Sequence, residues 1–138
     1  MKFSKANAKI EALANHPTLS KYLDGKRKVY SFDLLSGYSC PFAEKCLSKA
    51  VLVDGRRKIK DGAKNQFRCF SASQEVQYTN VYNSRKANFD ALRKMQTSKE
   101  MQDAIQAVMP KNTGIVRIHV AGDFFNAKYF NAWLRIAS

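Results

Sequence analysis

Acidic side chains are scarce: 11 Asp and Glu stand against 24 Lys and Arg, a net charge of +13 over 138 residues. Long apolar runs are missing too. Nothing approaches the ~20 residues that cross a bilayer, so no membrane span is expected. Met1 leads into Lys2, Lys5 and Lys9 with no apolar stretch behind them, so no secretory signal is read. Cysteine is limited to Cys40, Cys46 and Cys69, an odd number that cannot all pair within one chain. With no secretory signal, a reducing cytoplasm is the expected compartment. The thiols are then free and buried, catalytic, or metal ligands. There is no P-loop and no G-x-G-x-x-G, so nucleotide binding by those two loops has no support. Helix-turn-helix, zinc-finger and RNP signatures are absent, as are internal repeats and low-complexity tracts.

What is present suffices for a core. A composition 45% hydrophobic and 12% aromatic excludes wholesale disorder, and the length suits one domain over residues 1–138. The basic excess is clustered. Residues 1–28 hold seven basic and two acidic residues, a net +5, and residues 45–68 hold eight and two, a net +6. Those two blocks carry +11 of the +13, which favours a footprint for a polyanion over evenly spread solvation.

Periodicity outlines the elements. Phe3, Ala6, Ile10 and Leu13 recur at helical spacing, which predicts a helix over 2–14 within an N-terminal helical segment of about 1–24. Thr18 is a candidate cap for a short second helix. Lys28 to Leu35 is the first expected strand, with Tyr30, Phe32 and Leu34 on one face and Val29, Ser31 and Asp33 on the other. A loop through Cys40 follows, then a short helix from Ala43 to Val51. Asp54-Gly55 and Asp61-Gly62 bracket a basic hairpin or loop. A long helix runs from Ser71 or Ser73 to Met95, with Tyr78, Tyr82, Phe89 and Leu92 on its buried face. Thr97 and Glu100 form a capping box for the next helix. Ile115 to Ala121 is the clearest strand, and Asn126 caps a last helix. The order predicts an α/β fold, a small partial parallel sheet flanked by helices, built like a truncated barrel. If the two strands are parallel neighbours, the Cys40 loop and the Gly122-Asp123 turn open at the same sheet edge.

That edge holds the candidate chemistry. Three soft ligands, Cys40, Cys46 and Cys69, suit an iron–sulfur cluster with one iron open, or zinc with His119 or Asp123 as a fourth ligand. The alternative is three small buried side chains. Asp123 is either a site carboxylate or a helix cap, and His119 either a site residue or a hydrogen-bonded core histidine. Arg56, Arg57, Lys58, Lys60 and Arg68 are the candidate nucleic-acid contacts, made to the phosphate backbone. Phe67 and Phe70, beside them, read as core more readily than as stacking platforms.

Four runs together resemble the bacteriophage gene-product-88-like family. They are Ser36-Gly37-Tyr38-Ser39-Cys40-Pro41, Lys58-Ile59-Lys60-Asp61-Gly62, Phe67 through Ser73, and Arg117 through Phe125. The resemblance implies a phage or prophage origin and a motif-bearing cysteine loop, without an activity. A more distant similarity of layout links the chain to radical S-adenosylmethionine enzymes, with Gly122-Asp123 at their Gly-acid position. Their compact C-x3-C-x2-C is replaced here by C-x5-C-x22-C.

The expected function is a basic phage-type protein of the host cytoplasm that holds a three-cysteine metal site and binds nucleic acid or another polyanion. The alternatives are a radical or redox enzyme working at an open iron, and a phage effector that docks on an acidic host protein.

Overall fold

The computed structural model describes residues 1–138. A three-stranded sheet has β2 (Lys28–Ser31) at its centre, β1 (Ser4–Lys5) antiparallel on one side and β5 (Thr113–Arg117) parallel on the other. A separate antiparallel hairpin joins β3 (Ser48–Val53) to β4 (Arg56–Asp61). Helices α2 (Phe70–Gln77), α3 (Thr79–Arg93), α4 (Ser98–Val108) and α5 (Ala127–Ala137) complete the chain, with a short α1 (Ala8–Glu11) near the start. The expected α/β class and parallel strand pair are therefore present, and no closed barrel forms.

Val29 and Ser31 are buried on one face of β2, and Tyr30 is half-buried on the other. Phe32 and Leu34, just past its end, enter the main core with Leu92, Met101, Ile105, Tyr129 and Trp133. Val29 points the other way, into a small cluster with Ile10 and Leu23. Phe3, Phe32 and Trp133 meet edge to face or tilted, with centroids 4.9 to 6.3 Å apart. Such aromatic pairs add about 1 kcal/mol each beyond burial. Both predicted caps form: Thr97 accepts from the Glu100 N–H, and Asn126 accepts from the Tyr129 N–H.

Four expectations give way. The N-terminal helix over 2–14 is interrupted because Ser4 and Lys5 pair with β2, so only α1 and two 3₁₀ turns remain helical. Thr18 makes no side-chain cap there; the His16 ring takes that part, its Nδ1 accepting from the Thr18 and Leu19 N–H groups. The helix expected over 43–51 is instead a turn-rich approach over 43–47 and the first four residues of β3. Asp54 and Gly55 both have positive φ, 51° and 76°, the turn that matches the twist of a two-residue hairpin. Ser48 to Val51 pair with Lys58 to Asp61 of β4 and so take up extended backbone in place of the expected helix. Finally, the long helix over 71–95 breaks at Tyr78, whose φ of −113° and ψ of 112° are extended. Tyr78 is exposed there, while Tyr82, Phe89 and Leu92 keep the buried face.

Candidate functional site

The two loops after the parallel strands do meet at one edge. Asp33, buried, holds them: its Oδ1 accepts from the Val120 N–H at 2.6 Å and the Ala121 N–H at 3.3 Å, and its Oδ2 accepts from the Ser31 hydroxyl. The Leu34 N–H donates to the Ala121 carbonyl. Gly122 sits in this seam at a φ of +83°, and the Asp123 N–H donates to Ser39 Oγ. A Cβ on Gly122 would lie 2.5 Å from Ser39 Oγ and 2.8 Å from Leu34 Cβ. Gly122→Ala is therefore expected to cost about 2 kcal/mol or more in urea unfolding, combining left-handed backbone strain with overpacking. Gly25, at a φ of +67° with open space around it, is the control. Gly25→Ala meets the strain alone, so equal losses in the two variants would refute the seam.

Cys40 and Cys69 lie on this corner with Asp123. Burial pushes the Cys40 thiol up, and the charges of Asp123 and Cys69 push it further. Buried Ser48 ties the neighbouring loops together: its Oγ accepts from the Cys69 N–H and from Asn65, and donates to Asp61. The Ser48 N–H donates to the Cys46 carbonyl. All three cysteines are free and half-buried. No group of three or more His, Cys, Asp and Glu side chains is gathered so as to hold a metal ion. An iron–sulfur cluster or zinc thus has no assembled ligand set in this arrangement, and no chemical step follows through one.

Asp123 is exposed and accepts only from the Phe124 N–H, and the cap of α5 is Asn126, so the helix-cap alternative for Asp123 falls. His119 is bonded through Nε2 to the buried Tyr129 hydroxyl at 2.8 Å and packs against Phe124. Burial lowers its pKa to about 4, so the ring is neutral at pH 7, and burial raises that of Tyr129. That is the bonding of a satisfied core histidine.

The hairpin sorts the predicted basic residues. Its register pairs Lys49 with Lys60, Val51 with Lys58 and Val53 with Arg56, so these six share one face. That face carries four cations and no carboxylate. Arg57 belongs to the opposite face. It donates from Nε to the Glu75 carbonyl at 3.0 Å and from Nη2 to Thr79 Oγ1 at 2.7 Å, and lies over the Tyr82 ring. Arg57 thus fastens the hairpin to the junction of α2 and α3. Arg68 is paired with Asp61, Nη2 to Oδ2 at 2.6 Å, which neutralises it. Arg56, Lys58 and Lys60 make no ion pair.

Lys49 on this face, and three exposed phenylalanines near the hairpin, are not expected from local sequence pattern. Lys49 joins it only through the hairpin register, and its Nζ stands 4.8 Å from the centre of the Tyr38 ring. The Asp54-Gly55 turn signal, followed by strict alternation, would have found Lys49. Phe67 and Phe70, expected in the core, are 60% and 75% exposed, and Phe42 is 85% exposed. Phe42 and Phe67 lie in the segments that enter β3 and leave β4, at the open end of the hairpin, and Phe70 is the first residue of α2. Those segments are joined where the Gln66 and Phe67 N–H groups donate to the Lys45 carbonyl.

The whole chain, residues 1–138, matches the family model for gene product 88. The chain belongs to the gene product 88 family. The phage gene-product resemblance read from the four runs, Ser36 to Pro41, Lys58 to Gly62, Phe67 to Ser73 and Arg117 to Phe125, is thereby established. No curated protein and no solved structure matches it. No helix of this gene product 88 chain is long and apolar enough to cross a membrane.

Proposed function

We propose that this protein binds single-stranded nucleic acid along the outer face of the β3–β4 hairpin. The observation that carries the reading is the register that sets Lys49, Arg56, Lys58 and Lys60 on one face without a carboxylate among them. Six residues of strand extend about 20 Å, long enough to follow a nucleic-acid backbone over several phosphates. Lysine and arginine neutralise phosphate there and release counterions, which needs no base contact. Exposed Phe42 and Phe67 at the open end of the hairpin, and Phe70 at the start of α2, offer flat apolar faces to unpaired bases. Duplex DNA keeps its bases stacked inside and gains nothing from those rings.

Fluorescence anisotropy with a labelled poly-dT strand and a matching duplex tests this. The wild type is expected to favour the single strand. Phe67→Ala with Phe70→Ala is expected to weaken the single strand by about tenfold, a stacked base being worth about 1–3 kcal/mol, and to leave the duplex unchanged. Equal losses on both would remove the stacking role. Binding to an acidic protein with none to either nucleic acid would favour the protein-docking alternative instead.

A further inference from the structure

A second polar site lies away from the hairpin face. A cleft of about 430 Å³ opens over the Ser31 and Asp33 side of β2. Its walls come from the N-terminal segment around β1, from the α2–α3 junction and from Val120. Small-molecule sites typically enclose about 300–1,000 Å³. We infer that this cleft binds a nucleoside monophosphate, its phosphate held by Lys2, Lys5 and Arg85.

The charges point to an anion. Lys2 and Lys5 are exposed at the cleft and neither makes an ion pair. Arg85, more than nine-tenths buried, lines the same cleft. Its Nη1 donates to Glu75 Oε2 at 2.8 Å and to the Ser71 carbonyl, and its Nη2 donates to Gln74 Oε1. Its Nε makes no hydrogen bond within the protein, so a guanidinium with five donors keeps capacity for a ligand. The single carboxylate in the lining, Asp33, already has both oxygens engaged by Val120, Ala121 and Ser31.

The remaining wall suits the rest of a nucleotide. The Asn80 and Ser84 side chains line the cleft and project from the first turns of α3. An amide and a hydroxyl can donate to and accept from a base edge or a ribose. Tyr78, exposed by the break between α2 and α3, adds an aromatic face at the same place. A phosphate alone would use the cations and leave the amide and the ring idle. A nucleoside alone would leave the lysines idle.

Isothermal titration with 5′-AMP, adenosine and inorganic phosphate tests the inference. AMP is expected to bind one per chain, with adenosine and phosphate each weaker by about tenfold or more. Lys2→Glu with Lys5→Glu is expected to weaken AMP by about tenfold, and Tyr78→Ala to weaken it about fivefold, with circular dichroism unchanged. These surface positions avoid disturbing the Glu75–Arg85 pair. Arg56→Ala with Lys58→Ala and Lys60→Ala is expected to retain AMP binding in full, which separates this site from the hairpin. No heat with millimolar AMP, unaltered affinity in the lysine variant, or loss of AMP in the hairpin variant would each overturn it.

Discussion

Glu75→Ala is expected to lower the unfolding free energy by about 3–5 kcal/mol, the range for breaking a buried ion pair from one side. Glu75 is fully buried. It accepts from the Ser36 N–H at 3.0 Å, from the Ser36 hydroxyl at 2.6 Å and from Arg85 at 2.8 Å. Burial pushes its carboxyl upward, against the downward pull of Ser36 and Arg85. Alanine removes the acceptor and leaves the buried guanidinium of Arg85 without its counter-charge, held only by the neutral Ser71 carbonyl and Gln74 Oε1, and it frees the loop that starts at Ser36. The same pair gives the position to which Arg57 anchors the hairpin, through the Glu75 carbonyl. Replacing both partners, as Glu75→Leu with Arg85→Met, is expected to recover most of the loss, because no charge is then left unpaired. Urea unfolding of the two variants checks this. A single variant within about 1 kcal/mol of wild type would contradict the burial and bonding described.

Acid sensitivity is the second large effect. His119 titrates at about 4 in the folded protein, where burial outweighs the charges of Asp33 and Asp123, against an ordinary value of 6.5. Between those values the unfolded chain holds a proton on this ring and the folded chain does not. Stability therefore falls as pH drops from about 6.5 to about 4, by roughly 3 kcal/mol at full extent for this group. Above pH 6.5 the contribution is constant. His119→Gln can keep a hydrogen bond to Tyr129 without a titrating ring, so urea midpoints measured from pH 4 to pH 8 are expected to show a flatter acid limb. Parallel curves for wild type and variant would show that His119 is not the cause.

Local signals that agreed with tertiary pairing were legible. The β-formers at Val29, Tyr30, Ile115 and Val116 marked the two parallel strands, and connectivity alone placed the Cys40 loop beside Gly122-Asp123. Side-chain caps at Thr97 and Asn126 read correctly because they are set within one helical turn. The hairpin strand β3 was hidden because its approach, Ala43 to Leu47, is rich in helix formers, while its partner β4 decides the outcome. The break at Tyr78 was hidden because the apolar period continues across it through Tyr82 and Phe89. Arg57 looked like its neighbours in a basic run; only the register turns it inward. The polar cleft unites Lys5 with Asp33 and Arg85, three points far apart along the chain that no local pattern connects.

The salt dependence of binding by the hairpin face separates the readings of its charge. For a single strand, the affinity is expected to fall linearly on a log–log plot, with a slope of about 0.7 per neutralised phosphate. Lys49, Arg56, Lys58 and Lys60 together then give a slope near 3, by that same estimate of about 0.7 each. Replacing Arg56, Lys58 and Lys60 by Ala, with Arg57 left to hold the hairpin, is expected to weaken binding and flatten the slope by about 2. An unchanged slope in that variant, or binding indifferent to salt, would contradict the hairpin as the nucleic-acid interface.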